Sequence, residues 1–228
     1  MKIPFQLVNA AELEALLCQS GEGSEAAVLE AHFSSWDHPL DGDVAVRRHL
    51  RGAIQIHPSF LEAGGDEARY YPHYECPQDG NLLEHAELVQ ELEGLGVSSE
   101  SKVVVYGTEQ DGPMAAARLA WGLLVAGVRS VVMLDGGIDA WVAMGGETVP
   151  SVKRAVDLGQ TRGDKSVAGG WQMRGELVAD RADVQVIAGG VAGGEAKLVD
   201  VRRSGEFDGS LTRCYSFFSK SGHVPGAI

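Results

Sequence analysis

Two apolar runs, KVVVYG at 102–107 and SVVMLDGG at 130–137, most constrain what this chain can fold into. Neither alternates apolar with polar residues, so each predicts a strand covered on both faces. Between them, MAAARLAWGLLVAG (114–127) reads as a helix stopped by Gly127. A strand, a helix and a strand in that order join parallel neighbours through a crossover. The expectation is an α/β protein with a central parallel sheet.

The flanking text extends the pattern. Ala10–Leu17 reads as a helix with Asn9 as its cap and Leu13, Leu16 and Leu17 on one face. Ala27–Ala31 reads as a short buried strand, and HLRGAIQI (49–56) turns into another. Tyr70–Asp79 is loop-like, LLEHAELVQELEGLG (82–96) is an amphipathic helix closed by Gly94 or Gly96, and IDAWVAMGG (138–146) is a short helix.

Composition narrows the partners. Net charge is −13 over 228 residues, against the positive footprint that nucleic acid or an anionic membrane requires, though a local basic pocket for a small anion stays open. Cys18, Cys76 and Cys214 form no CxxC pair and no metal-ligand spacing, so neither a disulfide framework nor a metal site nor a cofactor is expected. The first residues lack the apolar core of a signal peptide, and no run of 18 apolar residues exists. A reduced, cytoplasmic protein is the expectation.

The chain also repeats itself. After Pro150 the text turns polar and glycine-bearing, so 151–169 reads as a linker between a domain at 1–150 and a second at 170–228. Leu198–Arg202 answers Val28–His32 at an offset of 170, and His223–Ile228 answers His49–Ile54 at an offset of 174. The first copy runs on for about a hundred residues beyond its RGAI, whereas the second reaches Ile228 where that continuation would start. One complete unit plus the first half of a second is expected, the half being completed by residues outside this chain. HVPGAI is expected to form a strand in that completed sheet.

LVDVRRSGEFDG (198–209) followed by GHVPGAI (222–228) resembles the opening motifs of a rhodanese domain. VVVYG with AAARLAWGLLVAGVRSVVMLDGGIDAW resembles the closing half of one. Together they resemble the tandem-rhodanese sulfurtransferases of the thiosulfate and 3-mercaptopyruvate type, with a rhodanese-like three-layer α/β/α fold. The resemblance implies transfer of a sulfane sulfur to cyanide or a thiol through a cysteine persulfide. It places that cysteine just after the VVVY strand, where this chain has Gly107, followed by Glu109 and Asp111. The first unit then lacks the nucleophile, and the second unit's cysteine would lie about fifty residues beyond Ile228.

The same resemblance assigns Arg202 to the sulfur-donor anion and Asp200 to its support; the plain alternative for Arg202 is an ion pair at a strand end with Asp200 or Glu206. No catalytic residue is expected within the chain. His223 and His49 hold matching places, so both read as hydrogen-bond partners in a turn; Asp135, Gly136, Gly137 and Trp141 read as a turn and a core anchor. Arg118 reads as a pairing residue, Arg203 as solvated, and Cys18, Cys76 and Cys214 as ordinary thiols. Two functions remain: a sulfurtransferase with its cysteine on a second polypeptide segment, or a catalytically inactive rhodanese module that binds a partner protein.

Overall fold

The computed structural model describes residues 3–19, 26–33, 48–63, 81–108, 112–150, 153–155, 170–190, 196–211 and 220–228. Val103, Val104, Val105 and Tyr106 are wholly buried because their strand lies inside a sheet. In chain order the first unit runs β1 (Phe5–Val8), α1 (Ala10–Gln19), β2 (Ala27–Ala31), β3 (Ile54–Ile56), α2 (His85–Gly94) and β4 (Lys102–Gly107). It continues with α3 (Gly112–Ala126), β5 (Ser130–Leu134), α4 (Gly137–Ala143) and β6 (Lys153–Arg154). The sheet order is β1-β5-β4-β2-β3-β6, and every pair is parallel.

Period-two alternation divides β4 between two helical layers. Val104 and Tyr106 pack with Leu13 of α1 and Trp141 of α4, while Val103 and Val105 face the opposite way, where α3 lies against β4. α3 is rich in Ala and Leu, with Val125 its one β-branched residue, and its Ala115, Ala116, Leu119 and Leu123 are buried. α1 starts on a reciprocal cap: Asn9 Oδ1 accepts from Glu12 N–H at 3.0 Å and Glu12 Oε2 from Asn9 N–H at 2.9 Å.

The expected boundary at 150 moves. β6 lies inside the stretch read as linker, and the first compact unit reaches Arg174. Arg174 accounts for this: its guanidinium donates to the carbonyls of Leu124 and Val128, both at 2.8 Å, and its own N–H donates to Val125 O at 2.9 Å. Leu124 and Val125 lie in the last turn of α3, where a cation is favoured, and Val128 just beyond it. Gly127 (φ +114°) lets the strap cross there, since a Cβ would stand 2.5 Å from Gln172 O.

The second unit, Gly175–Ile228, holds α5 (Arg181–Ala188) and α6 (Ser204–Phe207). α5 opens on an Asp180–Asp183 capping box with both bonds at 2.9 Å. No described residue of this unit is buried. Val199 and Val201 are 65% and 91% exposed, whereas Leu29 and Ala31, which align with them, are 0% exposed. HVPGAI does not form a strand here; Gly226 (φ +83°) sits in a turn, and Ile228 alone pairs. Its N–H donates to Leu198 O at 3.0 Å and its carbonyl accepts from Asp200 N–H at 2.9 Å. That is parallel pairing with Val199 opposite Ile228, matching Leu29 opposite Ile54 in the first unit, where β3 also begins at the isoleucine.

Candidate functional site

Sites on parallel sheets gather at the carboxyl ends of the strands. In the first unit those ends bring together Ala31–Phe33, His57–Ser59, Gly107–Thr108 and Asp135–Gly137. A nucleophile at 107 has no room. A Cβ there would lie 2.2 Å from both the carbonyl carbon and the oxygen of Gly112, and a Cβ on Gly137 would lie 2.4 Å from Gly107 O. Three glycine backbones fill the space. Glu109 and Asp111 lie outside the described residues, as do Cys76 and Cys214; Cys18 is exposed on α1.

Beside this closed corner stand two buried histidines, His32 and His57, with ring centroids 5.8 Å apart and edge to face. His57 Nδ1 accepts from Ser59 N–H at 3.1 Å and lies 2.6 Å from Ser59 Oγ. Burial, and secondarily the neighbouring His32, lower the His57 pKa to about 4. The unfolded chain takes up that proton near pH 6.5 and the folded one only near 4, so folding is favoured by this group above 6.5 and progressively less below. Urea midpoints measured between pH 7 and 4.5 should therefore fall with acid. His57→Asn should remove up to about 1.4 kcal/mol per pH unit of that slope; an unchanged slope would show that His57 does not titrate this way.

A second polar cluster lies deeper. Gln55 (β3), Glu30 (β2) and Tyr106 (β4) occupy one row of the sheet. Glu30 is fully buried; its Oε1 accepts from Gln55 Nε2 at 2.8 Å, and its Oε2 accepts from the Tyr106 hydroxyl and faces His49 Nδ1 at 2.6 Å. Tyr106 also accepts from Leu50 N–H at 3.1 Å. Burial, reinforced by the Glu30 carboxylate, pushes the Tyr106 hydroxyl far above the usual phenol range, so it remains a donor. The cluster fixes the His49 turn to the sheet, and His49 in turn exchanges backbone bonds with Val149 at 2.8 and 3.0 Å.

In the second unit Arg202 grips Asp200. Nε stands 2.9 and 3.1 Å from the two carboxylate oxygens and one terminal nitrogen 2.5 Å from Oδ2; that nitrogen also donates to Gly222 O at 2.8 Å. Arg202 holds the Asp200 carboxyl at about 2, below the usual range. His223 Nδ1 lies 2.8 Å from Phe207 O, and its ring stacks on Phe207 with centroids 3.8 Å apart. Arg203 is the N-cap of α6.

A family model described as the rhodanese-like domain matches residues 27–144. The chain belongs to the rhodanese family. This rhodanese chain is 28% identical over 226 residues to the thiosulfate sulfurtransferase of Gallus gallus, covering 97% of itself and 68% of that relative. The crystal structure of YnjE, a protein of Escherichia coli, superposes with a TM-score of 0.67 at 22% identity, over 100% of this chain and 49% of that one. SseA of Escherichia coli, a 3-mercaptopyruvate sulfotransferase of rhodanese fold, gives 0.63 at 20% identity, over 98% of this chain and 74% of that one. The chain thus spans about two thirds of the curated relative and about half of YnjE. At these identities the structural likeness establishes the rhodanese fold.

Within that fold the residues singled out from sequence fall into separate groups. Trp141 is a buried anchor whose Nε1 donates to Glu147 O at 2.9 Å, and Gly136 (φ +72°) and Gly137 (φ +56°) make the turn ahead of α4. Arg118 pairs with the buried Glu62 at 2.8 Å and lies over the Trp121 ring at 4.5 Å. Arg202 and Asp200 meet directly, with Glu206 instead accepting from Arg203 N–H at 3.4 Å. His57 carried no local signal. The one cue for Glu30 was a carboxylate inside an otherwise apolar strand, AVLEA.

Proposed function

We propose that this chain forms the front part of a rhodanese-type sulfurtransferase. Its first unit is a scaffold without a nucleophile, and its second unit contributes Arg202, held by Asp200, to bind a small sulfur-donor anion beside a cysteine on a further segment. One observation carries the reading. The Leu198–Val201 stretch has at Val199 the parallel register of β2 against β3, but among the described residues nothing pairs with it on the side that β4 takes beside β2. Val199 and Val201 are exposed, as the side chains of an uncovered stretch would be. The matching stretch of the first unit is fully covered.

The chemistry follows from the donor. A cysteine thiolate attacks the outer sulfur of thiosulfate, the S–S bond breaks, and sulfite leaves with the electron pair. With 3-mercaptopyruvate the C–S bond breaks and pyruvate leaves as its enolate, to be protonated. The persulfide then gives its outer sulfur to cyanide or a thiol and the thiolate is restored. Arg202 answers the charge of either donor, because a guanidinium matches the planar or tripod face of such anions with paired N–H groups.

The test is intact-mass analysis of the protein purified from its own source, before and after thiosulfate. The expected result is a companion segment that gains the mass of one sulfur atom on a cysteine and loses it, as thiocyanate, on adding cyanide. A sulfur adduct on Cys18, Cys76 or Cys214, or turnover without a companion, would overturn it. A companion that carries no reactive thiol would favour the other reading, an inactive module that docks a partner protein, for which the glycine closure at 107 already speaks.

A further inference from the structure

His57 caps a short turn that lies outside the sheet. Its Nδ1 accepts from Ser59 N–H at 3.1 Å and so opens the single 3-10 turn Pro58–Leu61. Beyond the turn, residues 61–63 are tied to 81–83: Ala63 N–H donates to Asn81 O at 2.7 Å and Leu83 N–H to Leu61 O at 2.9 Å. Phe60 and Leu61 are buried, and Leu61 and Leu82 lie over Gly122 of α3, where a Cβ would meet them at 3.2 and 3.4 Å. Neither 57–63 nor 81–83 belongs to a strand of the sheet.

We infer that His57 is the catch of a proton-operated latch: with Nδ1 unprotonated the segment 57–63 stays closed on α3, and a proton on Nδ1 opens 57–63 with 81–83 while the sheet remains folded. A backbone N–H only donates, so the Ser59 bond requires a lone pair on Nδ1. An imidazolium carries protons on both nitrogens, which sets Nδ1–H against Ser59 N–H. The Ser59 hydroxyl, 2.6 Å away, can turn to accept that proton, but the buried amide is then left without an acceptor. Nε2 makes no hydrogen bond among the described residues. His32, 5.8 Å away and edge to face, opposes a second charge; only the Phe33 carbonyl favours the proton, and burial outweighs it. The other charged groups about the turn are turned elsewhere. Glu62 pairs with Arg118 of α3 at 2.8 Å. On α2, which also packs on the turn, Glu87 is exposed, Glu91 is buried, Glu93 accepts from Trp171 Nε1, and His85 bonds Ala126 O. None of these acts on the proton of His57. Opening puts the ring in water, where the imidazolium is hydrated, so acid favours the open segment.

Native-state hydrogen exchange by NMR tests the latch on the whole chain. It reads the amides of Ser59, Glu62, Ala63 and Leu83 against those of Val104 and Val105 in β4, corrected for intrinsic rates. Protection of the first set should fall about twentyfold between pH 7 and pH 5, because the open form takes its proton near 6.5 and the closed form only near 4. Low urea should leave that opening unchanged while it speeds exchange in β4, since a local event exposes little surface and unfolding of the unit exposes much. His57→Asn keeps an acceptor for Ser59 N–H and does not titrate, so its protection should stay level over the same range. Ser59→Ala, which keeps the backbone donor, should retain the acid response. Wild-type protection that ignores pH would overturn the inference, as would an acid response that survives His57→Asn. So would one urea dependence shared by both sets of amides, which would mean that the segment opens only when the unit unfolds. The latch needs neither Arg202 nor a thiol, so the persulfide experiment above can fail while this one succeeds.

Discussion

Gly107→Cys is expected to weaken the first unit rather than restore a nucleophile to it. The added Cβ would stand 2.2 Å from two backbone atoms of Gly112, and backbone cannot rotate away as a long side chain can. Gly112 opens α3, whose Ala115, Leu119 and Leu123 are buried, while Gly107 O stands where a Cβ on Gly137 of α4 would come within 2.4 Å. Relief therefore means shifting an element that the core holds. The expected cost is about 3 kcal/mol, the upper end for overpacking a rigid site. It is read from urea unfolding followed by Trp fluorescence, with Gly107→Ala as the partner variant that has the same Cβ and no thiol. Both variants should lose comparable stability, and Gly107→Cys should take up no sulfur from thiosulfate. A stable Gly107→Cys protein that forms a persulfide would show that the corner opens more readily than its packing implies.

The closure at 107 also shows which part of the site was legible in sequence. That position 107 carries no thiol could be read directly, because it is a matter of residue type at a position. The reason no thiol fits could not, because it is a distance between Gly107 and backbone that the chain reaches only after folding. The same division runs through the fold. β2, β4 and β5 lie inside the sheet, so their largely apolar runs mark them; β2 and β4 match to the residue, and the run read for β5 goes three residues past Leu134 into the turn. β1 has no such mark, since Phe5, Gln6 and Leu7 are exposed at a sheet edge and show no run. β6 is two cationic residues in a polar stretch with no apolar run to mark it, and it pairs with Ile54 and Gln55. The first unit reaches Arg174 through main-chain carbonyls at the end of α3 and just beyond it, which no side-chain pattern encodes. Asp200 was legible as the partner of Arg202 because two positions separate them, whereas the bond to Gly222 O spans twenty.

Glu30 is where the largest loss of stability is expected. Its partners His49, Gln55 and Tyr106 lie 19, 25 and 76 positions away, so one carboxylate ties the β2–β3–β4 row to the turn that carries RGAI. Glu30→Leu fills similar space but leaves the Tyr106 hydroxyl, the Gln55 amide and His49 Nδ1 facing hydrocarbon. Each buried polar group stripped of its partner costs on the order of 1–3 kcal/mol, and breaking a buried charged cluster from one side costs about 3–5 in all. A domain stable by about 5–15 kcal/mol could not absorb that easily. Glu30→Gln should cost less, near 1–2 kcal/mol, because an amide oxygen still accepts from Tyr106, while an NH2 group in place of Oε1 gives up the bond that Gln55 donates. Tyr106→Phe removes one donor and leaves the other contacts to Glu30 in place. In a double-mutant cycle with Glu30→Gln, measured by urea unfolding, the two changes should therefore couple rather than add. Additive losses, or a Glu30→Leu protein as stable as Glu30→Gln, would mean that the row is held by its apolar neighbours and that the buried carboxylate contributes little.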